Sequence, residues 1–349
     1  MNIGLVNDLP LALAALRRVV EGTPGHSVAW EARDGREALE LAIKNPPDLI
    51  LMDLIMPAMD GAEATREIMR RAPCPILVVT ASVTVNAAKV YEAMGHGAVD
   101  AVRTPTLGPA GRLEGAAALL AKIQRVAVLA GKIKPNDTRN LFHEPAAPPP
   151  AVTATWGLPP LVAIGASTGG PQALAEILEK LPRPFPAAIA VVQHVDVEFA
   201  AGLAHWLAER TGHDVTAAVP GGRFEKGRVY LAATADHLVV DADGLIAHTP
   251  LPSELVYRPS VDVFFRSLAR NWPAPGVGVV LTGMGRDGAV GLRQLRDRGW
   301  KTIAQGPRTS IVYGMPKAAV EFGAAAEVLE LPDIAPALAA HFLLQKSPI

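Results

Sequence analysis

Short apolar runs alternate with helix-period segments along two stretches of the chain, and this alternation constrains the fold most strongly. The first stretch runs from residue 2 to about residue 130, and the second from Leu161 to about Leu331. Continuous apolar runs are typical of parallel strands that helices cover on both faces. The pattern predicts two α/β domains, and a chain of 349 residues is long enough for each domain to bury its own core.

The first stretch contains five apolar runs joined by tight connections. Between the first two runs, apolar residues mix with Arg17 and Arg18 in a way that favours a helix with one apolar face. We therefore expect a small, doubly wound parallel sheet over residues 1–125. Its predicted strands lie near residues 2–7, 27–31, 48–53, 75–80 and 98–102.

The second stretch predicts a doubly wound, mostly parallel α/β sheet over residues 160–349 with one antiparallel hairpin. The hairpin is expected between Leu238 and Ile246, because Asp243-Gly244 suits the positive φ of a tight turn. The predicted strands lie near residues 161–164, 187–192, 227–232, 237–241 and 276–281.

A proline-rich segment separates the two stretches. Proline fixes φ and lacks an amide donor, so such a segment favours an extended spacer. We expect a linker over residues 126–159, which starts with the end of a connecting helix at 111–132. The prolines of this segment are Pro145, Pro148, Pro149, Pro150, Pro159 and Pro160.

The composition argues against several classes of protein. A formal net charge of −1 does not favour binding to nucleic acid or to an anionic membrane. The single cysteine, Cys74, excludes an internal disulfide and fits a reducing compartment. The amino terminus does not resemble a signal peptide, and no run of about 18 apolar residues could cross a bilayer. We expect a cytoplasmic protein without direct membrane insertion.

Polar residues follow three predicted strands of the first domain. Asp8 follows the first strand, Asp53 ends the third and Thr80 ends the fourth. Ligands of open α/β sheets bind at the carboxyl ends of strands, so these side chains are expected to meet. Asp8 and Asp53 could hold Mg²⁺, Asp53 could attack a phosphoryl group, and Thr80 could bind the phosphate. One such acid alone is more simply a solvated loop residue, but the whole spacing favours a site.

A glycine-rich turn follows the first apolar run of the second domain. Residues 165–169, with Ser167 at their centre, fit the pattern G-x-S-x-G, a strand-to-helix turn that exposes a serine hydroxyl. Gly170 and Pro171 begin a helix whose free N–H groups suit a developing oxyanion. From this turn alone, a nucleophile and a cradle for a cofactor phosphate are equally good interpretations.

His194 and Asp287 favour the nucleophile. His194 ends the apolar run at 188–193, and Asp287 lies in the glycine-rich segment after the run at 278–280. Ser167, His194 and Asp287 are therefore expected at one edge of one sheet. A serine needs a base to take its proton, and the base needs an acid to orient it. The chain order Ser, His, Asp differs from the Ser, acid, His of α/β-hydrolases, so that fold is disfavoured.

Residues 1–125 resemble the receiver domain of bacterial response regulators. The resemblance implies a flavodoxin-like fold that a sensor histidine kinase of the CheA type phosphorylates on Asp53, with Mg²⁺ required. The residues that carry this resemblance are Asp8, Asp53, Pro57, Gly61 and Thr80.

Two positions depart from that family. The family usually has two acids after the first strand, where this chain has Asn7 and Asp8, and a lysine before the last proline, where it has Thr104. Arg103 is not expected to replace the lysine, because neighbouring strand residues point to opposite faces. We expect weaker Mg²⁺ binding and an altered response to phosphorylation.

Residues 160–345 are similar to the methylesterase domain of the CheB family through the segments GASTGGPQAL, VVQH, YRPSVDVFF and LTGMGRDGA. The resemblance implies hydrolysis of glutamyl methyl esters on methyl-accepting receptors, with release of methanol and often with glutamine deamidation. It implies Ser167 as nucleophile, His194 as base and Asp287 as the orienting acid, with no cofactor for the esterase chemistry.

Three further residues are assigned with less support from the pattern. Backbone amides at Thr168 and Met284 are candidates for oxyanion stabilisation. Arg258 is a candidate for the substrate cleft, and a structural role in bracing its loop is an equal alternative.

Within the CheB family, the segments at 6–10 and 94–98 are most similar to the Wsp-type branch, which implies a surface-sensing receptor and cyclic-di-GMP signalling. A hypothesis for regulation is that the unphosphorylated receiver covers the cleft above Ser167. Two alternatives remain at this stage: a receptor glutamine deamidase with the same chemistry, and a non-catalytic, phospho-responsive adaptor that binds the receptor.

Overall fold

The structure is a computed structural model that describes residues 1–82, 86–108, 113–131 and 157–343. The chain divides into two compact units, Met1–Pro135 and Asn136–Ile349. The predicted linker prolines 145–150 lie outside the described residues. The domain boundaries at 125 and 160 stay a prediction.

The first unit contains a five-stranded parallel sheet of order β2-β1-β3-β4-β5. This order confirms the predicted doubly wound fold, and each strand lies within about two residues of its predicted position. The strands are β1 Asn2–Val6, β2 Ser27–Ala32, β3 Leu49–Asp53, β4 Ile76–Thr80 and β5 Asp100–Arg103. The helices are α1 Pro10–Glu21, α2 Gly35–Lys44, α3 Gly61–Arg71, α4 Ala87–Gly95 and α5 Ala116–Leu129.

The connecting helix predicted over 111–132 begins later than expected. It is observed as α5, after Gly115 at φ 80°. The residues just before it, β7 Leu113–Glu114, pair instead with β6 Thr106–Leu107 in a short antiparallel ribbon. A glycine in the left-handed region ends this ribbon and allows the chain to enter the helix.

The second unit contains a seven-stranded sheet of order β10-β11-β9-β8-β14-β15-β16, in which all neighbours are parallel. Strands β12 and β13 form a separate antiparallel hairpin, as predicted, with Gly244 at φ 74°. The strands are β8 Leu161–Ala166, β9 Ala188–Gln193, β10 Asp214–Ala217, β11 Arg228–Leu231, β12 His237–Val240, β13 Ile246–Thr249, β14 Val277–Val280, β15 Lys301–Gln305 and β16 Glu327–Leu329. The helices are α6 Gly170–Lys180, α7 Val197–Thr211, α8 Val261–Asn271, α9 Ala289–Asp297, α10 Met315–Glu321 and α11 Leu331–Leu343.

Strands β10, β15 and β16 were not predicted. Strands β10 and β16 form the two edges of the sheet and contain four and three residues, of which none is fully buried. Strand β15 is buried but mixes polar with apolar residues. The continuous apolar pattern that marks a central parallel strand is therefore missing in all three.

Helix α8 packs directly beneath the carboxyl edge of the large sheet. Its Val261, Phe264 and Phe265 are fully buried in the core. A Cβ on Gly165, in β8, would lie 2.2 Å from Cγ1 of Val261, so the absence of a side chain lets the start of α8 approach β8. In the described residues, no helix is long and apolar enough to span a membrane.

Gly61 marks a similar close approach in the first unit. An added Cβ would lie 1.9 Å from the carbonyl oxygen of Asp53, which is backbone and cannot move aside. We predict that Gly61→Ala destabilises this unit by about 1–3 kcal/mol, because the backbone of β3 or α3 must shift. Hydrogen-exchange mass spectrometry of the full chain would report faster exchange in β1 and β3.

Gly108→Ala is the matched control. Its Cβ would approach only the flexible end of the Glu114 side chain, at 2.7 Å, so little change in exchange is expected. Equal protection of β1 and β3 in the two variants would contradict this account of the packing.

Candidate functional site

Polar side chains lie at the carboxyl edge of the first sheet. The Asp53 carboxyl, at the end of β3, accepts hydrogen bonds from Asn7 Nδ2 at 3.0 Å and from the Leu54 backbone N–H at 2.7 Å. Asn7 is buried, whereas Asp8 is half-buried beside it. Asn7, at the position where receiver domains usually have an acid, therefore contacts the carboxylate directly.

The charge of Asp53 is poorly compensated. Burial raises the pKa of the Asp53 carboxyl to about 6, the nearby charge of Asp8 adds to the increase, and backbone N–H groups partly oppose it. A carboxylate in this state favours the arrival of positive charge. Oxygen ligands from Asp8 and Asp53 fit Mg²⁺, which commonly binds one or two carboxylates and keeps several waters. Within the described residues, no group of three or more His, Cys, Asp or Glu that could hold a metal ion is found, at this edge or elsewhere.

The other predicted residues of this pocket lie on the neighbouring strands. Thr80 is fully buried, and its hydroxyl accepts a hydrogen bond from Asn86 Nδ2 at 3.0 Å. The Thr104 backbone N–H donates to the Thr80 carbonyl at 3.0 Å, and the Thr104 side chain is half-buried. Arg103 is exposed on the other face of β5, as the alternation of a strand requires.

Ser167 and His194 follow two neighbouring strands of the second sheet in register. Strands β8 and β9 pair through Ala166 and Gln193, so the next residue of each strand is Ser167 and His194. The backbone N–H of His194 donates to the Ala166 carbonyl at 3.0 Å. The side chain of the buried Gln193 donates to the backbone carbonyls of both Ser167, at 2.9 Å, and His194, at 3.1 Å. The Gln193 side chain thus holds together the loop that begins at Ser167 and the loop that begins at His194.

His194 contacts Asp287 through one ring nitrogen and leaves the other buried. Nε2 lies 2.8 Å from Asp287 Oδ2, while Nδ1 has no hydrogen-bond partner within the described residues. A carboxylate only accepts, so Nε2 carries the proton and Nδ1 of the neutral ring is the acceptor. The atom free to take a proton is therefore Nδ1.

The Asp287 carboxylate lies at the amino end of α8 and is saturated with hydrogen bonds. The first backbone N–H groups of the helix point at it, and a helix amino terminus favours a negative charge. Besides His194, its donors are Ser260 Oγ at 2.8 Å and the N–H groups of Val261 at 2.7 Å, Asp262 at 2.9 Å and Gly288 at 3.0 Å.

The pKa values of Asp287 and Asp262 are shifted in opposite directions. Burial would raise the pKa of the Asp287 carboxyl, but the hydrogen bond from His194 and those from the helix N–H groups hold it below its ordinary value. Burial, with the nearby charge of Asp287, raises the pKa of the Asp262 carboxyl to about 8. Asp262 Oδ1 accepts a hydrogen bond from the Gly291 N–H at 2.7 Å. At neutral pH, Asp287 holds the charge and Asp262 holds a proton.

The two predicted oxyanion donors lie on loops that Thr282 joins. Thr282 Oγ1 donates to the Thr168 carbonyl at 2.9 Å, and the Ser167 N–H donates to the Thr282 carbonyl at 3.0 Å. The backbone N–H groups of Thr168 and Met284 donate no hydrogen bond to any described residue. Both groups are available to a ligand.

Arg258 is exposed, and its guanidinium forms no ion pair within the described residues, so its predicted substrate role stays a prediction. Four residues that contact the site were not predicted from the sequence: Gln193, Tyr257, Ser260 and Asp262. Only Ser260 had a local signal, since a serine before an apolar helical run is a typical N-cap. The contacts of the others depend on tertiary packing.

The chain is similar to known proteins over both units. The CheB methylesterase family model matches residues 162–338, and the response regulator receiver domain model matches residues 3–107. The protein-glutamate methylesterase/protein-glutamine glutaminase 4 of Burkholderia thailandensis is 54% identical over 335 residues, which cover 96% of each chain.

A second relative is the protein-glutamate methylesterase/protein-glutamine glutaminase 1 of Pseudomonas fluorescens. It is 51% identical over 338 residues, which cover 97% of this chain and 98% of that one. The crystal structure of the Thermotoga maritima CheB methylesterase catalytic domain is 35% identical, covers 52% of this chain and 98% of its own, and gives a TM-score of 0.49.

The raised pKa of Asp262 predicts a dependence of stability on pH. The folded state keeps a proton that the unfolded chain releases above its ordinary pKa of 3.8, so stability falls as pH rises from about 4 to 8. Asp262→Asn removes this titration, and its stability relative to the parent should rise by at least about 1 kcal/mol between pH 5 and 8. Thermal unfolding across this pH range measures the difference.

The matched control is Glu254→Gln. Glu254 is exposed, and its replacement removes one carboxylate elsewhere in the same unit. Its stability should follow that of the parent at every pH. A constant offset between Asp262→Asn and the parent would mean that Asp262 is ionised in the folded state.

Proposed function

Since the chain belongs to the CheB methylesterase family, we propose that it hydrolyses glutamyl methyl esters of methyl-accepting receptors under the control of a phosphorylated receiver domain. The observation that carries the proposal is the pair of contacts at His194, whose Nε2 binds the ionised Asp287 and whose Nδ1 has no partner among the described residues. His194 follows β9 at the position in register with Ser167, which follows β8. The full-length relatives named as protein-glutamate methylesterases support the substrate class.

In the first half-reaction, Ser167 Oγ attacks the ester carbonyl while His194 Nδ1 accepts the hydroxyl proton. The N–H groups of Thr168 and Met284, which have no partner in the described residues, suit the oxygen that becomes negative. The C–O bond to the methoxy group then breaks, and the proton on His194 leaves with it as methanol. An acyl-Ser167 ester remains.

In the second half-reaction, water attacks the acyl carbonyl and gives its proton to His194 Nδ1. The tetrahedral adduct collapses, Ser167 regains the proton, and the receptor keeps a free glutamate. Asp287 stays ionised throughout, because its hydrogen bonds hold its pKa low. Its role is to orient the ring and to stabilise the imidazolium that forms twice in each cycle.

Deamidation of receptor glutamine is a second activity of the same site. Attack on a carboxamide gives the same acyl-Ser167 species, with ammonia in place of methanol as the leaving group. The relatives also carry the name protein-glutamine glutaminase, which supports this assignment. A non-catalytic adaptor is not favoured, because a buried ring nitrogen that has no partner among the described residues would have no use in it.

In the receiver, Asp53 is the proposed phosphate acceptor. Asp8 and Asp53 would hold Mg²⁺, which offsets the charge of the incoming phosphoryl group when it is bound. Asn7 donates to Asp53 where an acid would add a third negative charge, so we expect weak Mg²⁺ binding. Thr80 and Thr104 would contact the phosphate, with no lysine at position 104 to pair with its charge.

The proposed partners are a methyl-accepting receptor and a CheA-type histidine kinase, which would act together in the cytoplasm. The receiver supports a phosphodonor, and the methylesterase family supports a receptor substrate. Exposed Arg258 would contact acidic residues of that substrate. The Wsp-type assignment stays a prediction, since the relatives carry only the general methylesterase name.

Replacing the nucleophile tests the proposed chemistry. Ser167→Ala should lower methanol release from a methylated receptor fragment on the order of 10⁶-fold if chemistry limits turnover. The control is Ser253→Ala, because Ser253 is exposed and is distant from Ser167 in the sequence. A loss below about tenfold would mean that Ser167 is not the nucleophile.

Replacing the phosphate acceptor tests the switch. A small phosphodonor with Mg²⁺ should increase methanol release by the parent, and Asp53→Asn should abolish the increase while basal release persists. Glu40→Gln, an exposed change on α2, should respond as the parent does. Activation that persists in Asp53→Asn would reject Asp53 as the acceptor.

Deleting residues 1–145 tests whether the receiver restrains the esterase. We expect the truncated chain to release methanol faster than the unphosphorylated parent. An unchanged rate in a folded truncated protein would contradict restraint by the receiver.

A further inference from the structure

Tyr257 packs face to face on the ring of His194. The two ring centroids lie 3.6 Å apart, and the ring planes differ by 10°. Tyr257 is buried, and its hydroxyl donates a hydrogen bond to the Met284 carbonyl at 3.3 Å. It precedes by three residues Ser260, whose hydroxyl binds Asp287. One segment thus contacts the proposed base, its orienting acid and the loop of a proposed oxyanion donor.

We propose that Tyr257 is a positioning residue for the esterase, which fixes the plane of the His194 ring and ties it to the Met284 loop. This inference rests on the proposed function, because it assigns Tyr257 a part in the same acyl transfer. Tyr257 does not itself exchange a proton with the substrate.

The need for such a residue follows from the contacts of the ring. A single hydrogen bond, from Nε2 to Asp287, fixes one edge of the imidazole, and Nδ1 has no partner in the described residues. One hydrogen bond allows the ring to tilt about the line between the two atoms. A parallel aromatic ring at 3.6 Å blocks that tilt on one side and keeps Nδ1 in a constant direction.

The same contact suits the charge that appears during catalysis. The face of a tyrosine ring carries negative potential, and it attracts a cation placed over it. His194 becomes an imidazolium in both half-reactions, so the stack favours the transition state over the resting enzyme. The ring also excludes water from one side of the base, which strengthens its electrostatic interaction with Asp287.

The hydroxyl of Tyr257 gives the residue a second contact. It donates to the carbonyl of Met284, whose N–H is available for the oxyanion. Movement of the Met284 loop is thereby coupled to the position of the His194 ring. The stack and the hydroxyl can be separated by substitution, since phenylalanine keeps the first and lacks the second.

The test compares Tyr257→Phe with Tyr257→Leu in the full chain. Each protein is assayed for kcat and KM in the release of methanol from a methylated receptor fragment. Each is also assayed for its rate of reaction with a fluorophosphonate, in which Ser167 Oγ bonds to phosphorus and fluoride leaves. Thermal unfolding shows whether each variant is folded.

We expect Tyr257→Leu to lower kcat and the fluorophosphonate rate by about tenfold or more, with KM within about twofold. Tyr257→Phe should retain the stack and lose no more than about fivefold, the worth of one neutral hydrogen bond. If Tyr257→Leu does not fold, Tyr257→Met fills the gap without a ring and takes its place.

Two results would overturn the proposal. One is a folded Tyr257→Leu that keeps both rates within about twofold of the parent. The other is a loss confined to KM, which would make Tyr257 a substrate contact. A parent that releases no methanol, but reacts with the fluorophosphonate at a rate that depends on Tyr257, would reject the proposed substrate and support the positioning role.

Discussion

The carboxylate of Asp287 at the amino end of helix α8 is the interaction on which the second site depends. A buried carboxylate is costly unless hydrogen bonds and positive charge compensate it. Here the helix N–H groups, the Ser260 hydroxyl and His194 compensate it together. Because Gly165 lets α8 approach β8, the same packing that fills the core also places Asp287 against the His194 ring. Fold and site are therefore stabilised by one set of contacts.

In each domain a carboxylate lies at the carboxyl edge of that domain's own parallel sheet, but the two carboxylates have different surroundings. Asp53 and Asp287 both follow buried parallel strands, yet the pKa of Asp53 is raised to about 6 and that of Asp287 is lowered. The difference comes from the number of donors and from a neighbouring charge. Asp53 has fewer donors and lies near the charge of Asp8, which fits its proposed role as a metal ligand and phosphate acceptor. Asp287 has its lone pairs filled, which suits an acid that must orient a base and remain ionised.

Much of the fold was predictable because central parallel strands are continuous apolar runs, and residues such as Ser167, His194 and Asp53 end those runs. The short edge strands β10 and β16 lack that pattern and were missed. The supports of the site were also missed. The Val261 N–H binds Asp287 across 26 positions in the chain, and Tyr257 reaches His194 only through tertiary packing. Local patterns predict the proposed reacting groups, whereas the packing of distant segments determines what holds them.

We infer that Asp287 holds the proton of His194 on Nε2, which leaves Nδ1 as the proposed acceptor for the Ser167 proton. Nitrogen NMR of protein labelled in its histidines tests this directly, with the His194 signals assigned by their absence from His194→Gln. The expected result is a neutral ring with a protonated Nε2 and a bare Nδ1. A neutral ring protonated on Nδ1 would contradict it, because the nitrogen facing Asp287 could then not donate.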